Sequence, residues 1–216
     1  MTSTLIRTTR LLVAVGTLAI GTAHAALTVY TTVPTFTASA TQVFTDTFND
    51  LAIDFAASPL QRMNGPYAYA ASAPAGLYGA GTTTDHWLST NLSGATMTLG
   101  DFGGGVRALG GLFFGSDVAG LFLPGQSLTL RAVDSSGASL SYTLPSATEA
   151  SFVGFVSDGL LVSVSVSIDA VGSWATANNL MLGQAVPEPE SYALMLAGIA
   201  AVLGVARRRC GGREAG

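Results

Sequence analysis

Val162-Ser163-Val164-Ser165-Val166-Ser167-Ile168-Asp169 alternates apolar and polar residues without a miss. A helix buries positions three and four apart, so this run cannot form one apolar helical face. As a strand it sends Val162, Val164, Val166 and Ile168 to one buried side and the serines to water. Ala138-Ser139-Leu140-Ser141-Tyr142-Thr143-Leu144 repeats the pattern. Gln126 to Asp134 is placed to pair with it through the turn Asp134-Ser135-Ser136-Gly137. Further strands are expected at Leu27 to Val33, Gln42 to Phe48, Ala95 to Phe102, Val106 to Gly115, Phe152 to Ser157 and Ala177 to Gly183. About eight or nine short strands, with no convincing amphipathic helix, predict an all-β fold: an antiparallel β-sandwich of jelly-roll type. Pro34 to Thr41 is expected to hold one short helical turn. Asn64 to Thr84, rich in Gly, Ala, Ser and Tyr, reads as a surface loop.

The two ends of the chain have a different character. Arg7 and Arg10 precede an apolar run from Leu11 to Ile20, and Ala23-His24-Ala25 follows as an A-x-A site before Ala26. This is the layout of a secretory signal peptide, so residues 1–25 are expected as a signal helix removed on export. The arginines are not adjacent, which points to the general secretory machinery rather than a twin-arginine route. At the other end Pro187-Glu188-Pro189 leads into an apolar run, Tyr192 to Ala206, that stops at Arg207-Arg208-Arg209. Read as a transmembrane helix, its 15 residues cover about 22 Å of a hydrocarbon core near 30 Å, a marginal anchor. The arginines act as a stop-transfer cluster and put the rest of the chain outside the cytoplasm. Residues 26–185 are then the ectodomain, and 186–216 the C-terminal address.

These C-terminal features closely resemble the PEP-CTERM sorting signal of Gram-negative, exopolysaccharide-producing bacteria. The resemblance implies that an exosortase, a membrane-embedded cysteine protease or transpeptidase, recognises Pro187, Glu188 and Pro189 and processes the tail. It also implies an exported protein of the cell surface or extracellular matrix, structural or adhesive in exopolysaccharide or biofilm. The same kind of tail is also labelled an ice-binding protein C-terminal domain, but no regular Thr-x-Thr array is present. A second resemblance lies in Thr28-Val29-Tyr30, Asp46 to Leu51, Phe152 to Ser157 and Ala177-Asn178-Asn179-Leu180. This looks like the recurring pattern of PEP-CTERM ectodomains, which are similar to lectin-like and carbohydrate-binding jelly rolls. That pattern carries an aspartate before the closing asparagine, where this chain has Asn178.

Six of the nine arginines lie in the address segments, and the chain has no lysine. Against Arg62, Arg107 and Arg131 the ectodomain sets nine aspartates and Glu149, a net charge of about −7. Such a field repels nucleic acid and anionic lipid and favours cations. The single cysteine, Cys210, lies beyond the apolar run, so the ectodomain must hold together without a disulfide.

Catalytic chemistry is poorly supplied, and an enzyme is not expected. His86 is the only imidazole after the signal peptide, no G-x-S-x-G elbow is present, and zinc would lack nitrogen and sulfur ligands. Gly103 to Ala108 matches G-x-G-x-x-A but lies between two expected strands, where it reads as a turn. Two binding readings are open. Asp46, Asn49, Asp50 and Asp54 gather oxygens suited to Ca²⁺, or form a solvated acidic turn. Tyr67, Tyr69, Tyr78, Trp87 and Trp174 could stack on sugar rings, as in a carbohydrate-binding module, or close the ends of the sandwich. An extracellular hydrolase is a further alternative, since paired carboxylates would serve it, but nothing in the aspartate spacing selects a pair.

Overall fold

The structure is a computed structural model and describes residues 26–186, 195–200 and 202–203. In chain order its elements are β1 (Leu27–Tyr30), α1 (Val33–Ser39), β2 (Ala40–Asp46), β3 (Phe55–Ala56), β4 (Leu60–Asn64), β5 (Tyr67–Ser72), β6 (Leu77–Gly81) and β7 (His86–Thr90). They continue with β8 (Met97–Gly100), β9 (Ala108–Ser116), β10 (Phe122–Leu123), β11 (Leu128–Asp134), β12 (Ser139–Leu144), β13 (Phe152–Ser157), β14 (Leu161–Ile168) and β15 (Trp174–Ala185). Nine strands form one sheet, ordered β1-β13-β9-β15-β7-β6-β3, with β10 added beside β9 and β2 beside β15. Six form the other, β12-β11-β14-β8-β5-β4. Every strand pair is antiparallel. The expected two-sheet fold is found, while nine strands against six exceed an eight-strand jelly roll.

The alternating runs do what their period dictates. In β14, Val164, Val166 and Ile168 are buried, and Ser165 and Ser167 sit on the wet face. Across the six-stranded sheet that face carries hydroxyls, with Thr129 Oγ1 3.2 Å from Thr143 Oγ1. The hairpin of β11 and β12 pairs as expected, Leu128 opposite Leu144 and Val133 opposite Ser139. One residue departs from expectation. Val162 is exposed and Leu161 takes the buried place, because the β11–β14 register shifts between Val133 and Asp134. An extra residue in one strand reverses the face of everything on one side of it.

The larger departure is residues 64–84, expected as a loop. They hold β5, β6 and the turns beside them. Tyr67-Ala68-Tyr69-Ala70-Ala71-Ser72 does alternate, but with alanine instead of β-branched residues, so propensity understates it. Tyr67, Tyr69 and Ala71 point inward, into the main core between the sheets. Fifteen strands are therefore present among the described residues where about eight or nine were expected, the additional ones being β3, β4, β5, β6, β7 and β10.

A second, smaller core lies on the outer face of the nine-stranded sheet. Thr32 caps α1, its Oγ1 accepting from Thr35 N, and Pro34 occupies the first turn, where its missing N–H costs nothing. Phe36 from this helix packs edge-on to Phe152, with centroids 5.5 Å apart. It can do so because Gly154 lies directly beneath: a Cβ there would overlap the Phe36 ring.

Residues 195–200 and 202–203 are helical, and Met195, Leu196, Ile199, Val202 and Leu203 are exposed. No helix among the described residues is long and apolar enough to cross a membrane. The transmembrane helix expected over 192–206 is thus not supported, the described helical pieces being too short to span. The signal peptide, including Ala23 and Ala25, lies outside the described residues, and Ala26 immediately precedes β1.

Asp134 anchors the β11–β12 turn. Its Oδ1 accepts from Ser136 N (2.9 Å), Ser136 Oγ (2.6 Å) and Ala138 N (3.1 Å), and its Oδ2 from Ser157 Oγ of the opposite sheet (2.8 Å). Burial by itself would raise its pKa. The Ser136 and Ser157 hydroxyls and the backbone N–H groups outweigh that and hold it below the ordinary carboxylate value. A depressed native pKa stabilises fully above the unfolded value near 4, and the contribution is lost as pH falls through the native value. Urea denaturation of Asp134→Ala is expected to show a loss of about 2–3 kcal/mol at pH 7, and a smaller loss at pH 2–3. An equal loss at both pH values would rule out the carboxylate as the source.

Candidate functional site

The acidic cluster expected to suit Ca²⁺ is filled by an arginine. Arg62 of β4 reaches the end of β2, with Nε 3.0 Å from Asp46 Oδ2 and Nη2 2.6 Å from Asp46 Oδ1. It also holds Asp50, Nη1 to Oδ2 at 2.8 Å and Nη2 to Oδ1 at 2.7 Å. Tyr69 OH donates to Asp46 Oδ2 (2.8 Å), Phe48 N donates to Asp46 Oδ1 (3.1 Å), and the Phe48 ring lies under the guanidinium. Two forked carboxylate pairs on one planar cation are the geometry that arginine satisfies best. Hydrogen bonding to Asp50 is the largest cause raising the Arg62 pKa, and the same bond lowers that of Asp50. Burial is the largest cause raising Tyr69.

Asn49 Oδ1 accepts from His86 N (2.8 Å), and Asp54 Oδ1 from Phe55 N (2.7 Å). The metal reading of Asp46, Asn49 and Asp50 is therefore corrected: their oxygens face a permanent cation and backbone donors. No group of three His, Cys, Asp or Glu among the described residues is arranged to hold a metal ion. His86 is structural too, its Nδ1 lying 2.7 Å from the Leu51 carbonyl, to which it donates.

The aromatic candidates separate cleanly. Tyr69 is 0% and Tyr67 1% exposed, with Tyr67 OH donating to the Gln42 carbonyl. Trp87 is 3% exposed and spends its indole N–H on Gly120 O at 3.0 Å. None of these three presents a ring to a ligand, which corrects their reading as sugar platforms. Burial on the sandwich interior or under a loop consumes their faces. Of the five, Trp174 and Tyr78 are partly exposed, and together they line an open cleft of about 210 Å³ on the nine-stranded sheet. Asn178 of the closing motif is buried, donating from Nδ2 to Asp85 Oδ2 (3.1 Å) and accepting Asn179 N–H on Oδ1. Asn179 has φ +48°, and the β15 register shifts there. An aspartate at 178 would face Asp85 as a like charge, so the amide suits this position.

The C-terminal address begins where the last strand stops. Ala185 pairs with Ala40, and Val186 N donates to Ser39 O at 3.0 Å, the last such bond within residues 26–186. Residues 185–209 match the PEP-CTERM protein-sorting motif. The PEP-CTERM motif marks an exported protein for exosortase-dependent sorting. Pro187, Glu188, Pro189 and Arg207, Arg208 and Arg209 fall within the match but outside the described residues. No curated protein matches the chain.

Removing Arg62 leaves Asp46, 7% exposed, as a buried charge without its counter-ion. Breaking one side of such a pair costs about 3–5 kcal/mol. Arg62→Ala is expected to lower the urea midpoint accordingly, and Asp46→Asn in the same chain to recover part of the loss. Unchanged unfolding of Arg62→Ala would show that the clamp carries no stability.

Proposed function

We propose that this protein is exported through the general secretory machinery, loses residues 1–25, and is processed at Pro187-Glu188-Pro189 by an exosortase-like membrane protease. The short apolar run at 192–206 holds it transiently at the inner membrane. The product is a cell-surface or extracellular β-sandwich with a structural or adhesive role in exopolysaccharide, and it is not an enzyme.

One observation carries this reading: the sorting motif starts on the final residue of β15. The described ladder ends at Ala185 and the bond from Val186 N to Ser39 O follows it, both ahead of Pro187, so a cut at 187–189 leaves these bonds with the sandwich. A folded cargo and a detachable address occupy separate stretches of chain, as a sorted surface protein requires. The net charge of about −7 on the ectodomain supports a place outside the cell among neutral polymers rather than on nucleic acid or anionic lipid.

The test is intact mass and cell fractionation of the protein in its native host, beside a chain carrying Pro187→Ala, Glu188→Ala and Pro189→Ala. The wild type is expected at the surface or in the medium with its tail removed near residue 187. The variant is expected full length at its C-terminus and retained in the inner membrane. If both keep Arg207 to Arg209 and fractionate together, processing at the Pro-Glu-Pro box is excluded.

A further inference from the structure

We propose that the cleft at Trp174 binds one neutral sugar ring of a polysaccharide. The proposal rests on the adhesive reading for where the ligand is met, but its argument is the chemistry of the cleft. Gly115 faces Ile168 of the opposite sheet, so its neighbours Phe114 and Ser116 point outward. On that outer face Tyr78 of β6, Ser89 of β7 and Thr176 of β15 form one row, Ser89 paired with both others, and Trp174 precedes Thr176 by two residues. The loop from Asp117 to Leu121 folds over the Trp87 end of the face and makes the cleft's far wall.

This wall is rigid. Asp117 Oδ1 accepts from Ala119 N (2.8 Å) and Leu121 N (3.0 Å), while Asp117 N donates to Leu121 O (2.8 Å). Gly120 has φ +76° and sits against Ala80, where a Cβ would come within 2.8 Å of the alanine Cβ. Ser89, which lines the cleft, is buried and joins its hydroxyl to those of the buried Ser116 and Thr176 behind it, in a triangle of 3.0, 3.1 and 2.9 Å.

Tyr78, Asn91, Asp117 and Trp174 line the cleft and are at least partly open to solvent, and Trp174 Nε1, Tyr78 OH, Asp117 Oδ2 and Asn91 Oδ1 make no hydrogen bond among the described residues. Asn91 Nδ2 is held by Ala75 O at 3.0 Å, which turns its acceptor free and fixes its place. Two aromatic side chains, the Trp174 and Tyr78 donors and the Asp117 and Asn91 acceptors suit a ring whose hydroxyls each donate and accept, and whose C–H face is apolar. At about 210 Å³ the cleft is smaller than the 300–1,000 Å³ of drug-sized sites and admits one ring. Asp117 and the negative ectodomain disfavour a uronate, which selects a neutral sugar.

Trp174 is partly exposed in the cleft and its fluorescence responds to occupancy directly, whereas Trp87, buried and bonded to Gly120 O, responds only if the wall moves. The full chain is titrated by tryptophan fluorescence with methyl glucoside, methyl galactoside and methyl mannoside, and with glucuronate as the charged comparison. A saturable change with at least one neutral glycoside is expected, half-maximal at about 1–10 mM. It should vanish in Trp174→Phe and shift about 10-fold to higher concentration in Asp117→Asn. Tyr78→Phe keeps both tryptophans and should weaken binding by about 5–10-fold, so it serves if Trp174→Phe does not fold by circular dichroism. No saturable change with any of the three glycosides, a change that survives Trp174→Phe, or glucuronate bound as well as the neutral sugars would overturn the proposal. The titration is independent of tail processing, so failure here leaves the sorting experiment standing, and failure there leaves this one.

Discussion

The fork of Arg62 between Asp46 and Asp50 ties together the two sheets of a domain that has no disulfide. Asp46 ends β2 of the nine-stranded sheet, and Arg62 lies on β4, the edge of the six-stranded one. Tyr69 from β5 adds its hydroxyl to the same carboxylate, and Asn64 donates across to the Phe44 carbonyl. Antiparallel sheets stacked by apolar contact alone are free to slide, because hydrophobic burial has no direction. Directional, charge-assisted bonds set their relative position at this edge. Asp134 performs the equivalent task at another edge, joining the β11–β12 turn to Ser157 of the other sheet. Both cross-links depend on buried carboxylates that are fully satisfied, the condition under which burying a charge is tolerable.

With the sheets held, β15 organises the rest. It pairs with β9 along its length, and with β7 and then β2 on its other side. The shift of register at Asn178 and Asn179 lets one strand serve these neighbours in turn. Its outer face is divided between two covers, α1 with Phe36 at one end and the Asp117 to Leu121 loop at the other. The cleft at Trp174 lies beside the second cover. A loop held by its own hydrogen bonds over a sheet face leaves a shaped margin that a bare sheet would not have.

The same strand connects the fold to its destination. Because β15 is central and the last described strand, the sorting motif follows the sandwich directly and overlaps its bonding at Ala185 and Val186. Pro187-Glu188-Pro189 and the described strands thus occupy successive stretches of one chain.

Much of this was legible in the chain. The alternation in β12 and β14, the hairpin turn at Asp134 to Gly137, the helical turn after Pro34 and the sorting address are local patterns, carried by residues a few positions apart. Residues 64–84 were illegible as strands because alanine and glycine carry little β preference, and only covering both faces made them sheet. The acidic cluster looked like a cation site because aspartates close in sequence attract a cation. That the cation is Arg62 depends on β4 folding back against β2. Likewise the five aromatic candidates were equivalent in the sequence, and packing alone buried Tyr67, Tyr69 and Trp87 and left Tyr78 and Trp174 partly open. The sequence by itself determined strand period, export and address, since each is written in neighbouring residues. Only the tertiary structure decided which polar and aromatic groups remain unpartnered, because that depends on contacts between residues far apart in the chain.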